Sequence, residues 1–85
     1  MDICAGGTIS VGANSITFTN DHSVECTITT CTMPGWPTKP PVIPKRENGI
    51  PGSGIVYLTK PATKGKYSYT PDCCGKQTDP QIKVE

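Results

Sequence analysis

The chain has 85 residues, enough for one domain, and a chain this short buries only about 60% of its unfolded surface, so its core is thin. Hydrophobic residues make up 34% and the formal net charge is +1. Nothing electrostatic therefore calls for a nucleic-acid partner, and no run approaches the ~18 consecutive apolar residues of a membrane helix.

Nine prolines and nine glycines cut the chain into short pieces, and no window carries the i, i+3, i+4, i+7 pattern of a helix. Period-2 alternation, the mark of a half-buried strand, recurs instead. Ile9 and Val11 alternate with Thr8 and Ser10 ahead of a turn at Gly12-Ala13-Asn14. Ile16 and Phe18 alternate with Thr17 and Thr19, and Asn20-Asp21 marks the next turn. Val24, Cys26 and Ile28 are expected to share one face of a third strand. Ile55 to Thr59 reads as a strand with apolar residues on both faces, and Tyr67 to Thr70 and Ile82 to Val84 complete the set. Between Thr32 and Ser53 the pattern fails. Pro34, Pro37, Pro40, Pro41, Pro44 and Pro51 lie there, so a proline-rich surface loop at about 32–53 is expected, with a turn at Asn48-Gly49. Residues 1–85 thus read as a single β domain.

Charge is uneven. Residues 1–38 carry Asp2, Asp21 and Glu25 and no base, whereas 39–66 carry Lys39, Lys45, Arg46, Lys60, Lys64 and Lys66 against Glu47. Six bases spread over that length describe a solvated surface rather than a phosphate track.

Cys4, Cys26, Cys31, Cys73 and Cys74 are staple candidates for so thin a core. Such usage points to an oxidising compartment, periplasmic or secreted. Met1-Asp2-Ile3-Cys4 lacks the basic start and apolar run of a signal peptide, as a mature chain with an added initiator Met would. An odd number leaves one thiol over, and adjacent Cys73 and Cys74 are poorly placed to bridge each other.

Two stretches resemble the cupredoxin family. Thr8 to Asn20 resembles its early strand pair, in which an alternating strand meets a Gly turn and a Val/Ile-x-aromatic strand ends in Asn. Gly65-Lys66-Tyr67-Ser68-Tyr69, a Cys-containing loop and Ile82-Lys83-Val84 resemble its C-terminus. The resemblance implies a small Greek-key β-sandwich of about seven strands; an immunoglobulin-like sandwich is the alternative. It does not imply a blue-copper site. The first ligand His falls on Cys26, the ligand Cys on Pro71 and the second His on Cys74; no Met lies near Gly75, and His22 and Met33 lie off the pattern. On this frame Cys26 and Cys74 face each other. Cys26 is expected to bridge the Cys73–Cys74 pair, with Cys31 or Cys4 in the second link.

No cofactor is expected. The alternative is a thiolate site for copper or zinc at Cys26, Cys31, Cys73 and Cys74, whose spacing is irregular for zinc. Asp21-His22-Ser23 names three hydrolase residues, but neighbours in a strand diverge, so His22 reads as a surface turn histidine. Scattered carboxylates and the lack of a phosphate loop or HExxH give no enzyme. Pro41 to Arg46 fits a PxxPx[K/R] ligand, whose readers are cytosolic. The expected role is a structural or interacting domain that meets an unknown protein partner through the proline-rich loop. Trp36, Lys45 and Arg46 are its candidate contacts, although Trp36 also suits a core position.

Overall fold

The computed structural model describes residues 1–75 and 79–85. Seven strands form: β1 (Gly7–Ile9), β2 (Ser15–Asn20), β3 (Cys26–Cys31), β4 (Val42–Ile43), β5 (Gly52–Tyr57), β6 (Gly65–Pro71) and β7 (Gln81–Val84). No helix occurs among the described residues. A five-stranded sheet has the order β1-β7-β6-β3-β4, and β2 pairs with β5 in a second sheet. The arrangement is all-β and fits a β-sandwich.

Alternation produces the core directly. Ile16, Phe18 and Asn20 of β2 point inward, as do Val56 of β5 and Ile82 and Val84 of β7. Cys26 and Ile28 of β3 and Tyr69 of β6 complete the facing layer. Phe18 is the hub of the aromatic packing. Its ring meets Tyr69 edge-on at 5.5 Å between centroids, and Trp36 edge-on at 6.3 Å. Burial, reinforced by nearby Asp2 and Cys31, pushes the Tyr69 phenol well above the ordinary tyrosine range, so the ring stays neutral inside.

The third strand departs from its expected register. It starts at Cys26, and Val24 lies before it, 58% exposed. Between Ile28 and Thr30 the pairing with β6 slips by a bulge, so Thr30 faces Thr70 and Cys31 faces Tyr69. An extra residue inverts the in–out phase, and Cys31 rather than Thr30 turns toward the core.

The proline-rich segment is not wholly loop. Val42 and Ile43 form an edge strand on β3, with Cys26 opposite Ile43, and Ile43 is 1% exposed. Prolines flank β4 at Pro41 and Pro44, where no ladder donor is needed, and Pro41 still accepts a bond from Ile28 N. β5 begins at Gly52, inside the expected loop, because a two-residue turn returns the chain. Glu47 and Ile50 exchange both backbone bonds around Asn48 (φ 52°) and Gly49 (φ 75°), the positive pair that such a turn requires. A side chain at Gly52 would overlap Pro44 O, so its lack of one lets β5 close against the end of β4.

Across the molecule, Met1–Ile3 runs beside β2. Thr19 N donates to Met1 O, and Ile3 N donates to Thr19 O. The chain then crosses to the other sheet, where β1 lies parallel to β7 with Gly7 opposite Ile82. Cys4 sits at this crossover.

Candidate functional site

Four segments end at the same pole of the sandwich: the Cys4 crossover, the turn after β2, the start of β3 and the end of β6. Topology alone brings their side chains together. Cys4 bridges Cys74 and Cys26 bridges Cys73, with Cα–Cα separations of 5.7 and 5.1 Å. The vicinal pair therefore serves two different partners, and its sulfurs lie 3.9 Å apart. Asp72 fixes the approach: its N donates to Thr27 O at 3.0 Å, and its Oδ1 accepts from Thr27 N at 2.9 Å. The expected link from Cys26 to the vicinal pair falls on Cys73, and the second link uses Cys4 rather than Cys31.

His22 belongs to this pole. Its Nε2 lies 3.1 Å from Cys4 Sγ. Two anchors hold its backbone: His22 N donates to Asn20 Oδ1 at 2.9 Å, and Arg46 N donates to His22 O at 2.8 Å. Asn20 is fully buried, and its Nδ2 donates to Val24 O, Ile43 O and Pro44 O. The histidine turn is therefore pinned to both sheets. Ligand-capable atoms of Cys4, His22, Cys73 and Cys74 lie within 4.8 Å of one another. Bridged sulfurs carry no charge and are poor metal donors, so this set becomes thiolate-rich only after reduction.

Cys31 is elsewhere. It stands at the far end of β3 from Cys26, about 16 Å away at ~3.3 Å per residue, so it cannot share a metal with Cys26, Cys73 and Cys74. It is the free cysteine, and burial pushes its thiol pKa up, which keeps it protonated and slow to react. Alkylation of the denatured chain without reductant should therefore add one group, on Cys31, to a chain about 4 Da lighter than its reduced form. Native alkylation should be at least about tenfold slower. Intact mass reads both, and three or more labels would refute the bridge pattern.

The expected interaction residues separate. Trp36 is half-buried on Phe18, as a core residue would be. Lys45 and Arg46 are exposed beside the histidine turn, where Arg46 Nη1 donates to Asp21 O at 2.8 Å and lies 3.5 Å from its Oδ1. An exposed pair of this kind contributes little to stability.

A second surface feature lies where the edges of the two sheets meet. Pro37, Pro40, Pro41 and Val42 on one side and Ile55 and Tyr57 on the other line an open groove of about 380 Å³, with Lys39 at its rim. Val42 is 50% exposed, Ile55 52% and Tyr57 69%. Among the described residues β5 pairs only with β2. Leu58 N donates to Asn14 O, so by antiparallel alternation Val56 and Gly54 face β2, while Ile55 and Tyr57 turn their backbone groups outward.

The proline side of the groove lies in the loop expected to meet a partner, but its pairing with Ile55 and Tyr57 had no sequence signature, and neither had the Cys4–His22 contact. The groove combines residues about fifteen apart, each ordinary by itself, and the contact joins two positions that share no motif. Comparison of the chain with protein-family models, curated proteins and solved structures finds no match.

Proposed function

We propose that this chain is a non-enzymatic extracytoplasmic binding domain, and that its contact surface is the proline-lined groove between β4 and β5. The observation that carries this reading is the apolar run of exposed Pro40, half-buried Pro41 and exposed Val42 opposite Ile55 and Tyr57, beside a strand edge that has no ladder partner among the described residues. Its occupant is an extended apolar segment of a partner protein. Such a segment pairs its backbone with Ile55 and Tyr57 and sets alternate side chains against the prolines, which have no N–H to compete for its carbonyls. The Trp36, Lys45 and Arg46 surface is secondary, since Trp36 is already packed against Phe18. The frame is read as cupredoxin-like without a copper site; two packed sheets, with Thr8 to Asn20 supplying β1, a turn and β2, support that reading. Two bridges support placement where thiols are oxidised, and no helix among the described residues is long and apolar enough to cross a membrane.

Panning a random octapeptide library on the oxidised chain tests the proposal. Selected peptides should be apolar and extended, and Ile55→Lys with Tyr57→Lys should weaken them at least about tenfold, because both changes put charge into the groove. Binding that survives this double change, or that Lys45→Ala abolishes instead, would overturn it.

A second reading, a thiolate protein for copper or zinc, rests on the grouping of Cys4, His22, Cys73 and Cys74. It requires reduced sulfurs, and a metal-sized adduct in the native mass spectrum would favour it.

A further inference from the structure

The two bridges share a pole but differ in surroundings. Cys26 is fully buried at the head of β3, which shields Cys26–Cys73 on one side. Cys4 and Cys74 are both only partly buried, as is Cys73, so Cys4–Cys74 is the bridge with no fully buried partner. His22 Nε2 lies against Cys4 Sγ at 3.1 Å. A bridged sulfur has no proton to give, so this contact is a hydrogen bond only in the His22 tautomer that carries its hydrogen on Nε2, the tautomer on which the proposal below rests. That donor sits where negative charge appears if the bond breaks toward Cys4. The anchoring of His22 through Asn20 and Arg46 holds it there beforehand.

We propose that Cys4–Cys74 is a thiol–disulfide exchange site with a fixed polarity: an external thiolate enters at Cys74, and Cys4 departs into the hydrogen bond from His22. The reaction partner is a small thiol or the exposed dithiol of a protein. In the first step the incoming sulfur forms a bond to Cys74 Sγ, and the Cys74–Cys4 bond breaks with its electron pair going to Cys4, so nothing is oxidised overall. With a dithiol, the second thiolate attacks the partner's own sulfur in the mixed disulfide. Cys74 then leaves as thiolate, the dithiol becomes a disulfide, and the protein bridge is reduced by two electrons. A hydrogen bond to the departing thiolate favours Cys4 as leaving group because charge-assisted bonds are the stronger ones. His22 acts here as a positioning and stabilising donor, and the reacting atoms are the two sulfurs.

The experiment treats the oxidised full-length chain with reduced glutathione, quenches with acid, alkylates and maps the peptides. Glutathione should be found on Cys74 and the alkyl group on Cys4, while the Cys26–Cys73 peptide remains linked. His22→Leu should slow adduct formation about tenfold and spread the adduct over Cys4 and Cys74, whereas His22→Gln, which keeps an N–H donor, should restore the preference for Cys74. Adduct position in the unaltered chain is read independently of how any variant folds. Glutathione found mainly on Cys4, prior opening of Cys26–Cys73, or unchanged rate and position in His22→Leu would each overturn the proposal.

Discussion

Reduction of both bridges is expected to unfold the chain at 25 °C, whereas removing Cys26–Cys73 alone, by Cys26→Ala with Cys73→Ala, is expected to cost about 3 kcal/mol. The difference comes from nesting. Cys26–Cys73 spans 47 positions and Cys4–Cys74 spans 70, and the two are joined at adjacent residues. Either bridge alone holds much of the same chain in a loop, so losing one releases only part of the restricted entropy. In the chain-entropy picture each loop taken alone is worth about 4 kcal/mol, and losing both releases about 7 kcal/mol. A small domain has about 5–15 kcal/mol in total, and this chain, with its thin core, belongs at the low end. Urea unfolding of the oxidised, doubly substituted and fully reduced chains measures the three states. A reduced chain that keeps a cooperative transition would show that the sheets stand without staples.

Asn20→Leu is expected to cost about 3 kcal/mol, although leucine has the same branched side-chain skeleton as asparagine and, being bulkier, leaves no cavity. The loss is polar. Asn20 Nδ2 lies 3.0 Å from Val24 O, 3.4 Å from Ile43 O and 3.1 Å from Pro44 O, while Oδ1 accepts from His22 N at 2.9 Å. Leucine strands those groups in a site where the asparagine is fully buried. The same change frees the histidine turn and the end of β4 together, so urea unfolding should be accompanied by faster amide exchange at His22 and Arg46. A cost below about 0.5 kcal/mol would mean that water takes over the amide's bonds.

Which parts of this fold were readable follows from how local each signal is. Ile16 and Phe18 alternate inside one strand and Asn48-Gly49 supplies its own positive dihedrals, so neither needed tertiary information. β4 was hidden because two residues between prolines carry no periodicity; only the facing β3 makes Val42 and Ile43 a strand. Val24 was misassigned because alternation says nothing about where a strand starts. Ile55 and Tyr57 made β5 look buried on both faces, yet they line an exposed groove. At the cysteine pole, Cys26 and the vicinal pair were expected to meet, but the choice of Cys4 over Cys31 depended on Cys31 standing at the far end of β3 and on the crossover after Ile3. His22 was missed for the same reason: its neighbour is 18 residues away, brought close by topology.

The parallel pairing of Gly7 with Ile82 has a consequence for how the chain comes to be made. During synthesis, or export from the N-terminus, Cys4, Cys26 and Cys31 appear long before either correct partner does. Only premature pairings are open to them until Cys73 and Cys74 emerge, and Cys26 with Cys31 closes the shortest loop. β1 likewise waits for the last strand. The native bridges therefore wait for Cys73 and Cys74, and any earlier pairing among Cys4, Cys26 and Cys31 has to be reshuffled before they form.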